Sequence, residues 1–237
     1  MTAAQVIVVL DFASAREALD MVDSLGEEGE MYKVGLELFS REGPAVVEAL
    51  TGRGKRVFLD LKLHDIPNTV AGAVASVRDL GIDFLTIHTT GGLAMMSAAA
   101  EAAGDAVTLL GVTILTSMSA ADLGRTWNRP LESVSDEVVR LAQMAVAAGV
   151  GGVVASALEA KTLRSTLGSE PVIVTPGIRL AGDATHDQAR VCTPAAAAEA
   201  GADFLVVGRS ITASPDPLDA LRRVLDELDG SPNVSKT

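Results

Sequence analysis

Residues 58–65 read FLDLKLHD and place an acid, a base and a second acid at Asp60, Lys62 and Asp65. An ammonium flanked by carboxylates is held in its charged form. An acid and a base kept together in this way suit electrostatic or acid–base chemistry. Leu59, Leu61 and Leu63 fall at every second position of the same stretch. Alternation at period two marks a β-strand with two unlike faces. The leucine face packs on surrounding helices. Asp60 and Lys62 share the other face, roughly 7 Å apart along the strand. Asp65 lies beyond the strand, in the loop HDIPNTV. A buried ion pair stabilises a fold poorly compared with apolar packing, so this pair points to function more than to a plug.

A strand of this kind needs neighbours. Eight short runs rich in Val, Ile and Leu recur, at 6–12, 32–38, 56–62, 84–90, 107–115, 151–157, 171–177 and 203–210. Between them lie stretches of helical period, such as 14–25, 136–149 and 217–228. Gly26, Gly81, Gly149, Gly201 and Gly230 stand where helices would stop. Eightfold alternation of strand and helix predicts an α/β fold, a (β/α)8 TIM barrel forming one catalytic domain over 1–230. Residues 231–237, SPNVSKT, read as a disordered tail. A doubly wound open sheet is the runner-up, but no GxGxxG follows the first strand.

Barrels of this class build their sites at the C-terminal ends of the strands. The polar residues fall there: Asp11 at the end of the first strand, Lys33 in the second, Asp60 and Lys62 in the third, His88 at the end of the fourth, Thr116 and Ser117 after the fifth. Strands seven and eight commonly end in a phosphate site. Here they read TPGIR (175–179) and VVGRS (206–210). Gly208 can bring its N–H close to a ligand, and Arg179 and Arg209 can hold phosphate oxygens through forked, charge-assisted bonds. Gln188, on the loop between, can reach in as that loop closes.

Composition narrows the class. The chain of 237 residues carries a formal charge of −12. It lacks the basic balance of a nucleic-acid or membrane-surface binder. Hydrophobic residues make up 48 % and aromatic ones 3 %, which predicts an aliphatic core of Ala, Val, Leu and Ile. The one cysteine, Cys192, allows no intrachain disulfide and fits a reducing compartment. No apolar run reaches membrane-spanning length and the start shows no signal-peptide pattern. The expected location is the cytoplasm.

The run DLKLHDIPNT (60–69), with its DxKxxD core, resembles orotidine 5′-phosphate decarboxylases of the bacterial type. So do VLDF (9–12), KVG (33–35), VTILTSM (112–118), TPGIR (175–179), DQAR (187–190) and VVGRSI (206–211), in that family's order. The resemblance implies a lyase that converts orotidine 5′-monophosphate to UMP and carbon dioxide, with neither metal nor cofactor. It implies Lys62 as proton donor within an array of Lys33, Asp60, Lys62 and Asp65. Asp11 and Lys33 would bind the ribose, and Thr116 and Ser117 the pyrimidine edge. Arg179, Gln188, Gly208 and Arg209 would bind the phosphate. It also implies a homodimer in which Asp65, Ile66 and Thr69 complete the neighbouring site. A sister group shares DxKxxD but uses magnesium as sugar-phosphate decarboxylases or synthases. The resemblance puts a glutamate there where this chain has Lys33, and a charged lysine ligates no cation. The three histidines, His64, His88 and His186, are scattered, so no metal is expected. The alternatives are that magnesium-dependent chemistry and a non-catalytic binder of nucleotide phosphates.

Overall fold

The computed structural model describes residues 4–131, 133–180 and 191–230. Its elements run β1 (Gln5–Val9), α1 (Ala15–Leu25), β2 (Met31–Gly35), α2 (Leu36–Glu42), α3 (Pro44–Thr51), β3 (Arg56–Leu63) and α4 (Pro67–Val77). The chain continues through β4 (Phe84–His88), α5 (Gly92–Ala103), β5 (Thr108–Val112), α6 (Ala120–Trp127), α7 (Val134–Ala147) and β6 (Gly152–Val154). It ends with α8 (Ala157–Leu167), β7 (Val172–Thr175), α9 (Pro194–Glu199), β8 (Phe204–Val207), α10 (Arg209–Thr212) and α11 (Pro217–Leu228). All eight apolar runs contain strands. The strands are parallel, pair in sequence order, and close where β1 meets β8. This is the expected (β/α)8 barrel. The predicted tail 231–237 lies outside the described residues.

Local chemistry sets the helix ends. Ser14 accepts a hydrogen bond from the Glu17 amide at the start of α1, and Gly26, at φ 55°, ends it. Asp216 caps α11, whose first residue is Pro217. The stretch after β5 contains α6, opened by a capping box between Ser119 and Asp122.

Two apolar layers hold the barrel. The outer one, between strands and helices, is largely aliphatic, as Leu59, Leu85, Leu163 and Ile173 show, though it also buries Tyr32. The inner one departs from the expectation of a wholly aliphatic core. Phe58, Phe84 and Phe204 meet inside the barrel, with edge-on ring centroids 6.1 and 4.9 Å apart. Three of the chain's five phenylalanines thus fill the floor beneath the strand ends. The interior of an eight-stranded barrel is filled by side chains, and a void there is costly. Asp83 pins the lower end of β3: it accepts from the Val57 amide at 3.0 Å and from Arg56 Nε at 2.7 Å.

One strand is irregular. Between the pairs Leu59↔Leu85 and Leu63↔Ile87, β3 spends four residues where β4 spends two. Lys62 takes up the slack at φ 49°, in the left-handed region. The expectation of plain alternation through Lys62 is therefore corrected. A bulge re-aims a side chain in a way that period two does not.

Candidate active site

A cavity of about 580 Å³ opens at the C-terminal end of the barrel. Its wall includes Asp11, Lys33, Asp60, Lys62, Thr116, Ser117, Arg179, Gly208 and Arg209. These residues come from far-apart segments, and the closed barrel brings their strand ends to one rim.

The charged side forms a chain of contacts. Lys33 Nζ lies 3.0 Å from Asp11 Oδ1 and 3.6 Å from Asp60 Oδ2. Lys62 Nζ lies 2.8 and 2.7 Å from the two Asp60 oxygens. The expected 7 Å spacing along the strand thus gives way to direct contact, because the bulge folds Lys62 back over Asp60. Asp11 stands two residues beyond β1 rather than within it. Lys33 and Asp60 are buried, and Lys62 is partly exposed. Burial alone would raise the Asp60 carboxyl. The Lys33 and Lys62 charges, with hydrogen bonds from Lys62 and Thr86, outweigh it and hold the group below the usual carboxylate range. Asp60 is thus an anion gripped by two ammoniums.

Two further residues support this chain and were not singled out from the sequence. Thr86 Oγ1 donates to Asp60 Oδ1 at 2.9 Å. A polar residue on the inward face of β4, two residues after Phe84 and two before His88, was its signal. At Gly35 a Cβ would sit 2.7 Å from Lys33 Nζ and 3.0 Å from Asp11 Oδ1. Only glycine leaves that ion pair its room.

Asp65 does not join the array within one chain. Its Oδ1 accepts from the Ile66 amide at 2.6 Å, and among the described residues no ion pair joins it to Lys62. Asp65, Ile66 and Thr69 are exposed, Ile66 to 66 %. His64 and His88 stack beside Lys62 with centroids 5.4 Å apart. His88 turns its Nδ1 to Thr90 Oγ1 at 2.7 Å. Burial first, then His64 and Lys62, push the His88 imidazole below its ordinary value.

The ends of β7 and β8 carry the guanidiniums. Arg179 is buried and donates from Nη1 to the Ile178 carbonyl at 2.8 Å, while Arg209 opens α10 beside Gly208. Gly208 is not needed to relieve crowding from within, since a Cβ there would meet Val9 at 3.6 Å, an ordinary contact. Thr212, Leu115 and Pro176 also line the wall and were not foreseen. Gln188 lies outside the described residues. Among the described residues no helix is long and apolar enough to cross a membrane.

Comparison with known proteins bears on this geometry. The sequence model of the orotidine 5′-phosphate decarboxylase / HUMPS family matches residues 4–224. An orotidine 5′-phosphate decarboxylase of Anaeromyxobacter sp. (strain K) is 48 % identical over 221 residues, 93 % of this chain and 96 % of that one. Its counterpart in Nitrosococcus oceani is 46 % identical over 231 residues, covering 96 % and 99 %. The crystal structure of the enzyme from Lactobacillus acidophilus superposes with a TM-score of 0.85 at 38 % identity, covering 95 % of this chain and 99 % of that one. On matches of this extent, the chain belongs to the orotidine 5′-phosphate decarboxylase / HUMPS family.

Proposed function

We propose that Lys62 is the proton donor and Asp60 its electrostatic partner in the decarboxylation of orotidine 5′-monophosphate to UMP and carbon dioxide. The chain is a carboxy-lyase of pyrimidine nucleotide biosynthesis. The observation that carries the residue roles is the unbroken chain of contacts Asp11–Lys33–Asp60–Lys62 in one cavity.

The chemistry explains why such an array is needed. The bond from the ring carbon to the carboxylate breaks and carbon dioxide departs. Its electron pair stays on the ring carbon, with no neighbouring group to take it up. The Lys62 ammonium then stabilises that charge and transfers a proton to the carbon, and it regains a proton from solvent. Asp60, held ionised, faces the substrate carboxylate, and their repulsion eases as carbon dioxide leaves. Because the ammoniums are fixed before substrate arrives, little reorganisation is required at the moment of reaction.

The rest of the cavity serves binding. Asp11 and Lys33 take the ribose hydroxyls, Thr116 and Ser117 the pyrimidine edge, and Arg179, Gly208 and Arg209 the phosphate, with Gln188 added from its loop. Energy from the remote phosphate supports closure over the reacting ring. Lys33 is a cation already paired on both sides. That donor set does not suit a divalent ion, which favours the metal-free reaction over the magnesium-dependent one.

The reading includes a homodimer. Asp65, Ile66 and Thr69 are exposed where the chain passes from Lys62 into α4, and Leu93 is exposed on α5. A second copy seated there would bring its Asp65 toward Lys62 and complete the array. Mixing Lys62→Ala and Asp65→Ala proteins, each inactive alone, should restore up to about a quarter of wild-type activity through hybrid sites; no restoration contradicts the composite site. The single cysteine, Cys192, allows no intrachain disulfide, which fits a reducing cytoplasm.

The direct test of the reaction is ultraviolet-monitored turnover of orotidine 5′-monophosphate in excess EDTA. Formation of UMP is expected. No conversion, with activity on a keto-sugar phosphate after magnesium is added, would move the chain to the sister chemistry.

A further inference from the structure

We propose that Thr86 is a positioning residue for the decarboxylation, holding Lys62 and Asp60 in reactive geometry through one hydroxyl. The proposal rests on Lys62 and Asp60 carrying the reaction. Thr86 is 0 % exposed and stands on the inner face of β4. Its Oγ1 donates to Asp60 Oδ1 at 2.9 Å and accepts from the Lys62 backbone amide at 2.8 Å. One hydroxyl therefore touches both members of the pair, the acid at its side chain and the lysine at its backbone.

The bulge explains why that is needed. Thr86 is the β4 residue between Leu85 and Ile87, the stretch across which β3 carries its extra residues. There the Lys62 N–H takes a side-chain hydroxyl rather than a ladder carbonyl as its acceptor. A buried amide without an acceptor is strongly disfavoured. Lys62 also sits at φ 49°, a backbone state that a lysine keeps only where its surroundings over-determine it. Thr86 supplies one of those determinants and at once fixes the carboxylate that receives Lys62 Nζ.

Removing the hydroxyl frees the Lys62 backbone to relax and Asp60 to turn. The reacting ammonium then shifts, while Lys33 stays held by Asp11 at 3.0 Å and the phosphate-side residues Arg179, Gly208 and Arg209 stay in place. A purely structural role would lower stability and the fraction of folded protein but leave turnover per folded site intact.

The test is steady-state kinetics on Thr86→Val, which keeps the shape and loses the hydroxyl, with UMP binding measured on the same protein. We expect kcat per binding site to fall about 100-fold, with KM and UMP affinity within about threefold. Thr86→Ser should recover most of the loss. If Thr86→Val does not fold, Thr86→Ser and Thr86→Ala form the decisive pair, since they differ by the hydroxyl alone. A Ser-to-Ala ratio in kcat of about tenfold or more supports the proposal. A ratio near one, a Thr86→Val kcat within about threefold of wild type, or a KM rising as kcat falls overturns it. Wild-type protein assayed in parallel separates the two layers. Full wild-type activity with fully active Thr86 variants removes this proposal alone, whereas an inactive wild type removes the underlying reading and this proposal with it.

Discussion

Lys62 Nζ touches both carboxylate oxygens of Asp60, at 2.7 and 2.8 Å, although only one residue separates them in the chain. Regular strand geometry would hold the two side chains apart and parallel. The left-handed turn at Lys62 bends the ammonium back onto the acid. A strained backbone residue thus stands at the group proposed to donate the proton.

Asp60→Asn keeps the shape and removes the charge. Lys33 and Lys62 then face a neutral amide and repel one another, and the substrate carboxylate meets no anion. We expect kcat to fall by about 10²- to 10³-fold. UMP, which lacks that carboxylate, should bind within about tenfold of wild type. Unchanged turnover would show that Asp60 is not part of the reacting field.

Gly35→Ala separates function from folding. The new Cβ would press on Lys33 Nζ, the far end of a flexible side chain, so Lys33 moves and the fold tolerates it. Thermal unfolding should change little, while kcat/KM falls by about tenfold as the Asp11–Lys33–Asp60 links loosen. Equal losses in stability and activity would contradict this.

Arg209→Ala should act mainly on binding. Charge-assisted hydrogen bonds contribute about 1.5–3 kcal/mol each, so KM should rise about 10- to 100-fold. Some kcat should be lost as well, because phosphate contacts drive closure. Steady-state kinetics with unchanged KM would remove Arg209 from the phosphate grip.

How much of this was legible follows from the residues themselves. The eight apolar runs and the helical stretches located the barrel, because strand alternation and helix caps are local signals. The runs overshoot the strands at their C-terminal ends. After β1 the overshoot is a loop that carries Asp11, after β2 and β8 it is the first turn of a helix, and Thr116 stands in a turn just past its run. The Lys62 bulge was not legible, since it comes from a register mismatch with β4, a relation between segments. Thr86 read as one more strand residue until Asp60 was seen beside it. The three inward phenylalanines were hidden by a low aromatic content that says nothing of placement. Asp65 shows the opposite case: the motif groups it with Lys62, but the single chain does not bring it there.

His88 should leave a mark on acid stability. Burial, His64 and Lys62 lower its imidazole below the ordinary 6.5, so the unfolded chain takes up the proton more readily than the folded one. The stability it contributes is fully present above the ordinary value and is lost as pH falls through that value toward the lowered one. In urea unfolding, wild type should lose more stability from about pH 7 to about pH 5 than His88→Gln does. Equal slopes would show that folding does not lower the His88 imidazole.

The most direct measurement is turnover of orotidine 5′-monophosphate by Lys62→Ala, with UMP binding as the control for an intact site. Loss of turnover to background with UMP still bound is the predicted result. Near-normal turnover would contradict Lys62 as proton donor and with it the central claim.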